Sequence, residues 1–284
     1  MKRSLFTLLS LTLISLSLAA QFAPIANPNI PKSIKFAGDV VDLSSQDRRQ
    51  RFDRELTSMI YTHGNTLLQM KRANAVFPVI KPILKRNGIP EDFVYLACIE
   101  SYLNPRAVSS SKAAGVWQFM PTTAREYGLE VNDNVDERYD IELSTEAACK
   151  YLNNARSRFA DWLTVGASYN AGMGRISKEV EAQGQKSALT LWLPDETMRY
   201  IFRLLAAKAL MENAETFGYH LNKDQLYTPV DYRVIEVDTP IDDLAVWAIE
   251  HGTTYYDVRQ HNPWIRSKSL PNKTGKIYKI RIHK

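Results

Sequence analysis

PEDFVYLACIESYLNP, from Pro90 to Pro105, is the stretch whose reading decides the fold. Pro90 suits the first position of a helix, and Glu91 and Asp92 complement the positive end of its dipole. Phe93, Leu96, Ala97, Glu100 and Leu103 then recur at spacings of three and four, the period of one helical face. Glu100 therefore sits on the apolar face of a helix that Asn104-Pro105 ends. A carboxyl so placed is partly desolvated, which raises its pKa and keeps a proton available near neutral pH. The plainer reading of the same pattern is a capping or salt-bridged glutamate at a helix end.

Working outward, Ser45 to Arg86 carries a helical pattern closed by Asn87-Gly88, and residues 21–37 are extended. Downstream, the polar stretch Ser109–Ser111 leads to Pro121, which opens a helix closed at Gly128. Asn132–Asp140 is an acidic loop, and Ser144 with Glu146 starts a helix carrying Ala147, Ala148, Tyr151 and Leu152. Trp162–Ala171 reads as the next helix and Pro194–Thr216 as a long final one. One short strand at most interrupts this, so residues 40–222 are expected to be all-helical.

The tail reads differently. Tyr232–Val237 is strand-like, and Asp238-Thr239-Pro240 caps a helix with Ile241, Leu244, Ala245, Ala248 and Ile249 on one face. Tyr255–His261 is a second short helix, and Tyr278, Ile280 and Ile282 alternate with Lys279 and Arg281 as a strand. The resulting β-α-α-β unit follows a connection holding Pro229 and is expected to be a separable module. The division is a leader (1–20), a helical N-terminal extension (21–85), a central helical domain (86–222), a linker (223–231) and a small domain (232–284). The fold class is mainly α plus this small mixed unit.

Met1-Lys2-Arg3 followed by the apolar run Leu5–Ala20 reads as a secretory signal peptide. The run, about 16 residues, is short for a bilayer, and Ala19-Ala20 offers a cleavage site. It holds no Cys to carry a lipid. Export to the periplasm or beyond is expected, with no membrane span in the mature chain. Of 284 residues, 36 are Lys or Arg and 31 are Asp or Glu, nearly balanced once Lys2 and Arg3 are set aside. The excess is local: Arg266, Lys268, Lys273, Lys276, Lys279, Arg281 and Lys284 face no acid in residues 264–284. That balance disfavours nucleic acid as a partner. Cys98 and Cys149, the two cysteines, could bridge after export or stay as buried thiols. The five histidines have no metal-ligand spacing, so neither a metal nor a cofactor is expected.

Around Glu100 stand four polar motifs: IES (Ile99–Ser101), GVWQFMP (Gly115–Pro121), SYNAG (Ser168–Gly172) and DET (Asp195–Thr197). Gln118 and Asn170 offer amides. Trp117, Tyr169 and Tyr200 offer rings on which sugars could stack, though each also suits a core, as does Met120. A carboxyl acid among amides, hydroxyls and rings is the equipment of a sugar-cleaving enzyme. Ordinary glycosidases use two carboxylates, yet Tyr102–Met120 contains no second acid. Either a distant acid such as Glu196 serves, or the substrate supplies the nucleophile.

These motifs resemble the soluble lytic transglycosylase family, and within it the membrane-bound murein transglycosylase D group. The likeness runs from about Phe36 to Phe217 through GIPEDFVYLACIESYLNP, GVWQFMPTTAREYGL, NVDERYD, DWLTVGASYNAGMGRI and LPDETMRY. It implies a goose-lysozyme-like helical fold acting on peptidoglycan strands, with Glu100 as sole acid/base. It implies cleavage between N-acetylmuramic acid and N-acetylglucosamine that leaves 1,6-anhydro ends. By motif position Ser109 would bond near the muramic N-acetyl group, Gln118 and Met120 would line the groove, Tyr169 would be oriented toward Glu100 beside Asn170, and Glu196 and Tyr200 would line the sugar sites. Ser168 stands where the family usually has Ala. The tail resembles a divergent LysM peptidoglycan-binding module, with Val237 where Gly is usual and Pro240 where Leu is usual. A lysozyme-type hydrolase on the same fold and a non-catalytic wall-binding scaffold are the competing readings.

Overall fold

The computed structural model describes residues 27–284, and the expected leader lies outside them. Strands β1 (Ser33–Phe36) and β2 (Asp39–Asp42) form an antiparallel hairpin. Its turn residues Ala37 and Gly38 both have positive φ, as a two-residue turn of this hand requires. The hairpin breaches the all-helical expectation at its edge, and Phe36 tucks against Phe93 at 5.5 Å.

The continuous helical pattern before Gly88 divides into α1 (Gln46–Tyr61), capped by Ser45, and α2 (His63–Arg86). Helix α1 buries Phe52, Glu55, Leu56 and Ile60, spaced to face one partner. A short 3-10 turn, Glu91–Phe93, leads into α3 (Val94–Ser101). Pro90 thus stands just before the turn rather than inside the helix. Next come α4 (Pro121–Glu126), α5 (Ile141–Arg156), α6 (Trp162–Ala171), α7 (Met173–Gln183) and α8 (Asp195–Glu212).

Three expectations need correction. Helix α5 starts at Ile141, not Ser144, because the Asp140 side chain accepts from Leu143 N–H and caps it. Helix α7 was not expected: Gly172, with φ 83°, ends α6, but Gly174 is helical. Helix α8 ends at Glu212, and Ala214–Phe217 is a separate 3-10 turn. Helix α8 runs through the middle of the helical body, burying Tyr200, Ile201, Phe202, Leu204 and Leu205, and packs on α1, α3 and α6. One apolar core joins Phe36 to Tyr219 and so includes α1 and α2.

The tail forms β3 (Tyr232–Val237), α9 (Leu244–Glu250), α10 (Tyr255–His261) and β4 (Tyr278–His283), with β3 and β4 antiparallel. Helix α9 is capped by Asp243, whose carboxylate takes the Ala245 and Val246 N–H groups, not by the earlier Asp238-Thr239-Pro240. The tail has its own core around Leu244, Trp264 and Ile280, but Ala114, Val135 and Tyr139 of the helical body belong to it too. Backbone bonds cross the junction from Asp136 N–H to Trp264 O (2.8 Å) and from Arg266 N–H to Asn134 O (2.7 Å). Lys276 pairs with Glu130 and Glu137, and Arg281 with Asp140 and Glu142. The tail is thus docked on the helical body.

Candidate active site

Glu100 lies in the last turn of α3. The two residues after α3, Tyr102 and Leu103, take positive φ (51° and 57°), which turns the chain sharply away and leaves the carboxyl at a helix end. Ser101 donates to Val116 O at 2.9 Å, tying α3 to the loop that carries GVWQFMP. Tyr200, from α8, donates its hydroxyl to Glu100 Oε1 at 2.5 Å. Burial pushes Glu100 up to about 7, the Tyr200 bond and the Arg203 charge pull against that, and the charge of Glu196 adds to it. Half the population thus holds a proton near neutral pH, bonded to a phenol that can follow a change in its charge.

Tyr169 is close enough to Glu100 for the acid's charge, added to burial, to push its phenol well above the usual range. Its hydroxyl, however, donates to Trp117 O at 2.8 Å and not to Glu100. Tyr200 is the residue that holds the acid. Asn170 accepts from Thr197 Oγ1 at 2.9 Å, which locks the end of α6 to the first turn of α8 and leaves the Asn170 amide hydrogens free. Glu196, one turn before Tyr200, is exposed.

Ser109, Gln118 and Met120 lie in the loop between α3 and α4. Gln118, at φ 51°, spends its amide hydrogens on Gly115 O (2.8 Å) and Ala107 O (3.2 Å) and so closes this loop on itself. Ser109 Oγ accepts from Ala113 N–H at 3.0 Å and keeps its own hydrogen to donate. Met120 is 44% exposed, whereas Trp117 is fully buried, its indole N–H given to Thr145 Oγ1. Of the three candidate rings, Trp117 and Tyr200 are core, and Tyr169 is partly exposed and packed against that core. Arg138, which sequence reasoning passed over, braces the loop: it pairs with Asp136 and donates to Lys112 O (2.7 Å) and Phe119 O (2.9 Å). Gly115 is obligatory there, since a Cβ would sit 1.8 Å from Arg138 O. Arg203 was missed as well, although its place three residues after Tyr200 puts it on the acid's side of α8.

Cys98 and Cys149 are separate buried thiols; burial pushes Cys98 far up and Cys149 up to about 12. Among the described residues no cluster of His, Cys, Asp or Glu is placed to hold a metal, and no helix is long and apolar enough to cross a membrane. Cavities of about 420 and 580 Å³ lie at the junction with the tail, lined by Glu137, Trp264 and Lys276 in one and by Tyr139, Tyr232 and His261 in the other. Neither reaches Glu100, so chemistry rather than volume marks the site.

A mainly helical body with a half-buried acid at a helix end, followed by a β-α-α-β unit, defines the class: a lysozyme-like helical domain with a LysM-like companion. Residues 77–191 match the transglycosylase SLT domain, and residues 233–284 match the soluble lytic transglycosylase C-terminal LysM-like domain. It is 34% identical over 194 residues to membrane-bound lytic murein transglycosylase D of Escherichia coli (strain K12), covering 66% of this chain and 42% of that protein. It is 32% identical over 140 residues to peptidoglycan transglycosylase gp16 of Escherichia phage T7, covering 46% of this chain and 10% of that one. The chain thus spans less than half the length of either relative. Among solved structures, the 70 kDa soluble lytic transglycosylase SLT70 of Escherichia coli aligns at a TM-score of 0.45 and 21% identity, over 59% of this chain and 29% of that chain.

Proposed function

We propose that the protein is an exported lytic transglycosylase that cuts peptidoglycan strands between N-acetylmuramic acid and N-acetylglucosamine, with Glu100 as single acid/base. The observation that carries this reading is the Glu100 carboxyl, half-protonated near pH 7 and bonded to Tyr200, in a domain matched to transglycosylases. Protonated Glu100 gives its hydrogen to the glycosidic oxygen as the C1–O bond breaks, and N-acetylglucosamine leaves with it. The muramic C6 hydroxyl oxygen bonds to C1, and its proton passes to the Glu100 carboxylate. The proton lent is returned and no water is consumed. Ser109, with its hydrogen free, Asn170 and Glu196 serve the acetamido and hydroxyl groups of the sugars, and Met120 and Tyr169 the ring faces. Gln118 acts through the loop it closes. In this reading residues 21–85 support a catalytic unit at 86–222, and residues 232–284, after a 223–231 connection, bind the wall.

A hydrolase on the same fold would need a second carboxylate, and Glu196 is the one whose charge reaches Glu100. Mass spectrometry of digested sacculi separates the two: products lighter by one water than reducing muropeptides support the transglycosylase, and reducing ends overturn it. Intact sacculi would return the chain to a wall-binding scaffold. Glu100→Gln keeps the shape but removes the transferable proton, and turnover should fall by at least about 10²–10⁴-fold.

A further inference from the structure

Glu55 is a carboxylate from α1, outside the segment matched to the transglycosylase domain. It is 1% exposed, yet three guanidiniums reach it: Arg54 at 3.1 Å and Arg199 at 2.8 Å on Oε1, and Arg203 at 3.3 Å on Oε2. Burial alone would raise its pKa, but the Arg199 bond and the charges of Arg203 and Arg199 outweigh it and hold Glu55 below the usual carboxylate range. It is a fixed buried anion. An apolar residue would close the seam between α1 and α8 without that desolvation, so the charge calls for a role beyond packing.

The spacing on α8 supplies the role. Glu196, Tyr200 and Arg203 fall at i, i+4 and i+7 on one face, while Arg199 and Arg203 share the flank turned toward α1. Arg203 belongs to both sets: its guanidinium rests on Glu55 and its charge is felt by Glu100. The ionisable groups acting on Glu100 are Tyr200, Arg203 and Glu196 from α8 and Tyr169 from α6. Arg203 is the one cation among them.

We propose that Glu55 is a positioning residue for Glu100: by anchoring Arg203 from the far side of α8, it fixes how near a positive charge stands to the acid. The proposal rests on the reading of Glu100 as acid/base, and it assigns α1 a part in tuning the site as well as in building the core. Without Glu55, the long Arg203 side chain is released to move closer to Glu100 and favour its ionised form.

The test is a titration that needs no turnover. The Glu100 side-chain carbon, identified by its loss in Glu100→Gln, is followed by ¹³C NMR against pH in the full chain. Glu55→Gln should move its midpoint down by roughly half to one unit, the size of a cation approaching by a few ångströms at an effective dielectric near 20. Arg203→Gln should move it up, and Glu55→Gln with Arg203→Gln should follow Arg203→Gln alone. The pH profile of sacculus digestion should lose its alkaline limb at lower pH in Glu55→Gln, because an acid is disabled as pH rises through its pKa. An unmoved midpoint with a uniform loss of rate and a lower melting temperature overturns the proposal and makes Glu55 merely structural. Should Glu55→Gln not fold by circular dichroism, Arg203→Gln decides, and an unmoved midpoint there overturns it equally. A midpoint that moves in a protein that never cuts glycan keeps the placement of Arg203 but ends the functional reading.

Discussion

The two flanks of the segment matched to the transglycosylase domain attach to it by different means. The N-terminal flank shares its core: Phe36, Phe52, Leu56 and Ile60 are buried in the same apolar cluster as α3, α6 and α8. The C-terminal flank has a core of its own and meets the body mostly through polar groups, with Val135, Tyr139 and Ala114 as its apolar footing. Hydrophobic contact is not weakened by ionic screening and has no direction, so the first flank is joined to the helical body through one shared core. Ion pairs need geometry and weaken with screening, so the second is docked yet adjustable. The two flanks also reach different parts of the site. Helix α1 acts on the acid through Glu55 and Arg203, while the tail grips the segment whose Arg138 braces the Ser109–Gln118 loop.

The largest effect should come from breaking the shared core. Phe52 is fully buried, and Phe52→Ala should cost about 3–5 kcal/mol by lost transfer energy and the cavity left behind. Denaturant unfolding followed by far-ultraviolet circular dichroism should show the loss across the helical body. A change under about 1 kcal/mol would mean that α1 is an appendage after all.

Next in size is a gain. The folded pKa of Glu100, about 7, lies above its ordinary 4.5, so between these pH values the folded chain keeps a proton that the unfolded chain has released. Stability from this group is intact at pH 4 and falls as pH rises through the window. The difference corresponds to about 3 kcal/mol as an upper figure. Glu100→Gln should therefore be the more stable protein at pH 8 and equal to the parent at pH 4, in denaturant melts at both. Equal stability at pH 8 would place Glu100 in ordinary solvation and remove the basis for its proton.

On the docked side, Arg281→Met removes the partner of Asp140, whose side chain is nearly buried. The expected loss is on the order of 2 kcal/mol, between an exposed and a fully buried pair, since Asp140 keeps the Leu143 N–H. It should appear as earlier melting of the tail, read from Trp264 fluorescence against a Trp264→Phe control.

Much of this was legible in the chain, and what was not has a physical pattern. Helices α6 and α10 were readable to their ends because Asp161 and Thr254 cap them locally. The helical face of Glu100 was readable from its period, but the Tyr200 hydroxyl bonded to it was not, since the two stand 100 residues apart. Helix α7 was lost because Gly172 and Gly174 look alike in sequence while only the first needs positive φ. The α9 cap was misplaced because Asp238 and Asp243 are equally good local acceptors and strand pairing chooses between them. Glu55 and Arg203 pair across 148 residues, and no local period announces such a contact. The docking of the tail was invisible for the same reason: Lys276, Arg281, Glu137 and Asp140 read singly as solvated charges.

The smallest expected effect tests the polar seam most directly. Lys276 is partly exposed and sits between Glu130 and the nearly buried Glu137. Lys276→Met leaves the stem to pack but leaves Glu137 only the Glu130 N–H, so near 0.05 M salt the tail should lose about 1 kcal/mol of docking stability. Raising salt to about 1 M shortens the screening length to about 3 Å. The parent should then lose part of what the pair contributes, so that parent and variant converge while the deficit of Phe52→Ala stays unchanged. The readout is the tail transition in denaturant at both salt concentrations. If the parent's transition ignores salt, the ion pairs contribute nothing net, and the tail is held by Val135, Tyr139 and the backbone bonds from Asp136 and Arg266. Both flanks would then be fastened by packing, and the difference drawn between them would reduce to one of area.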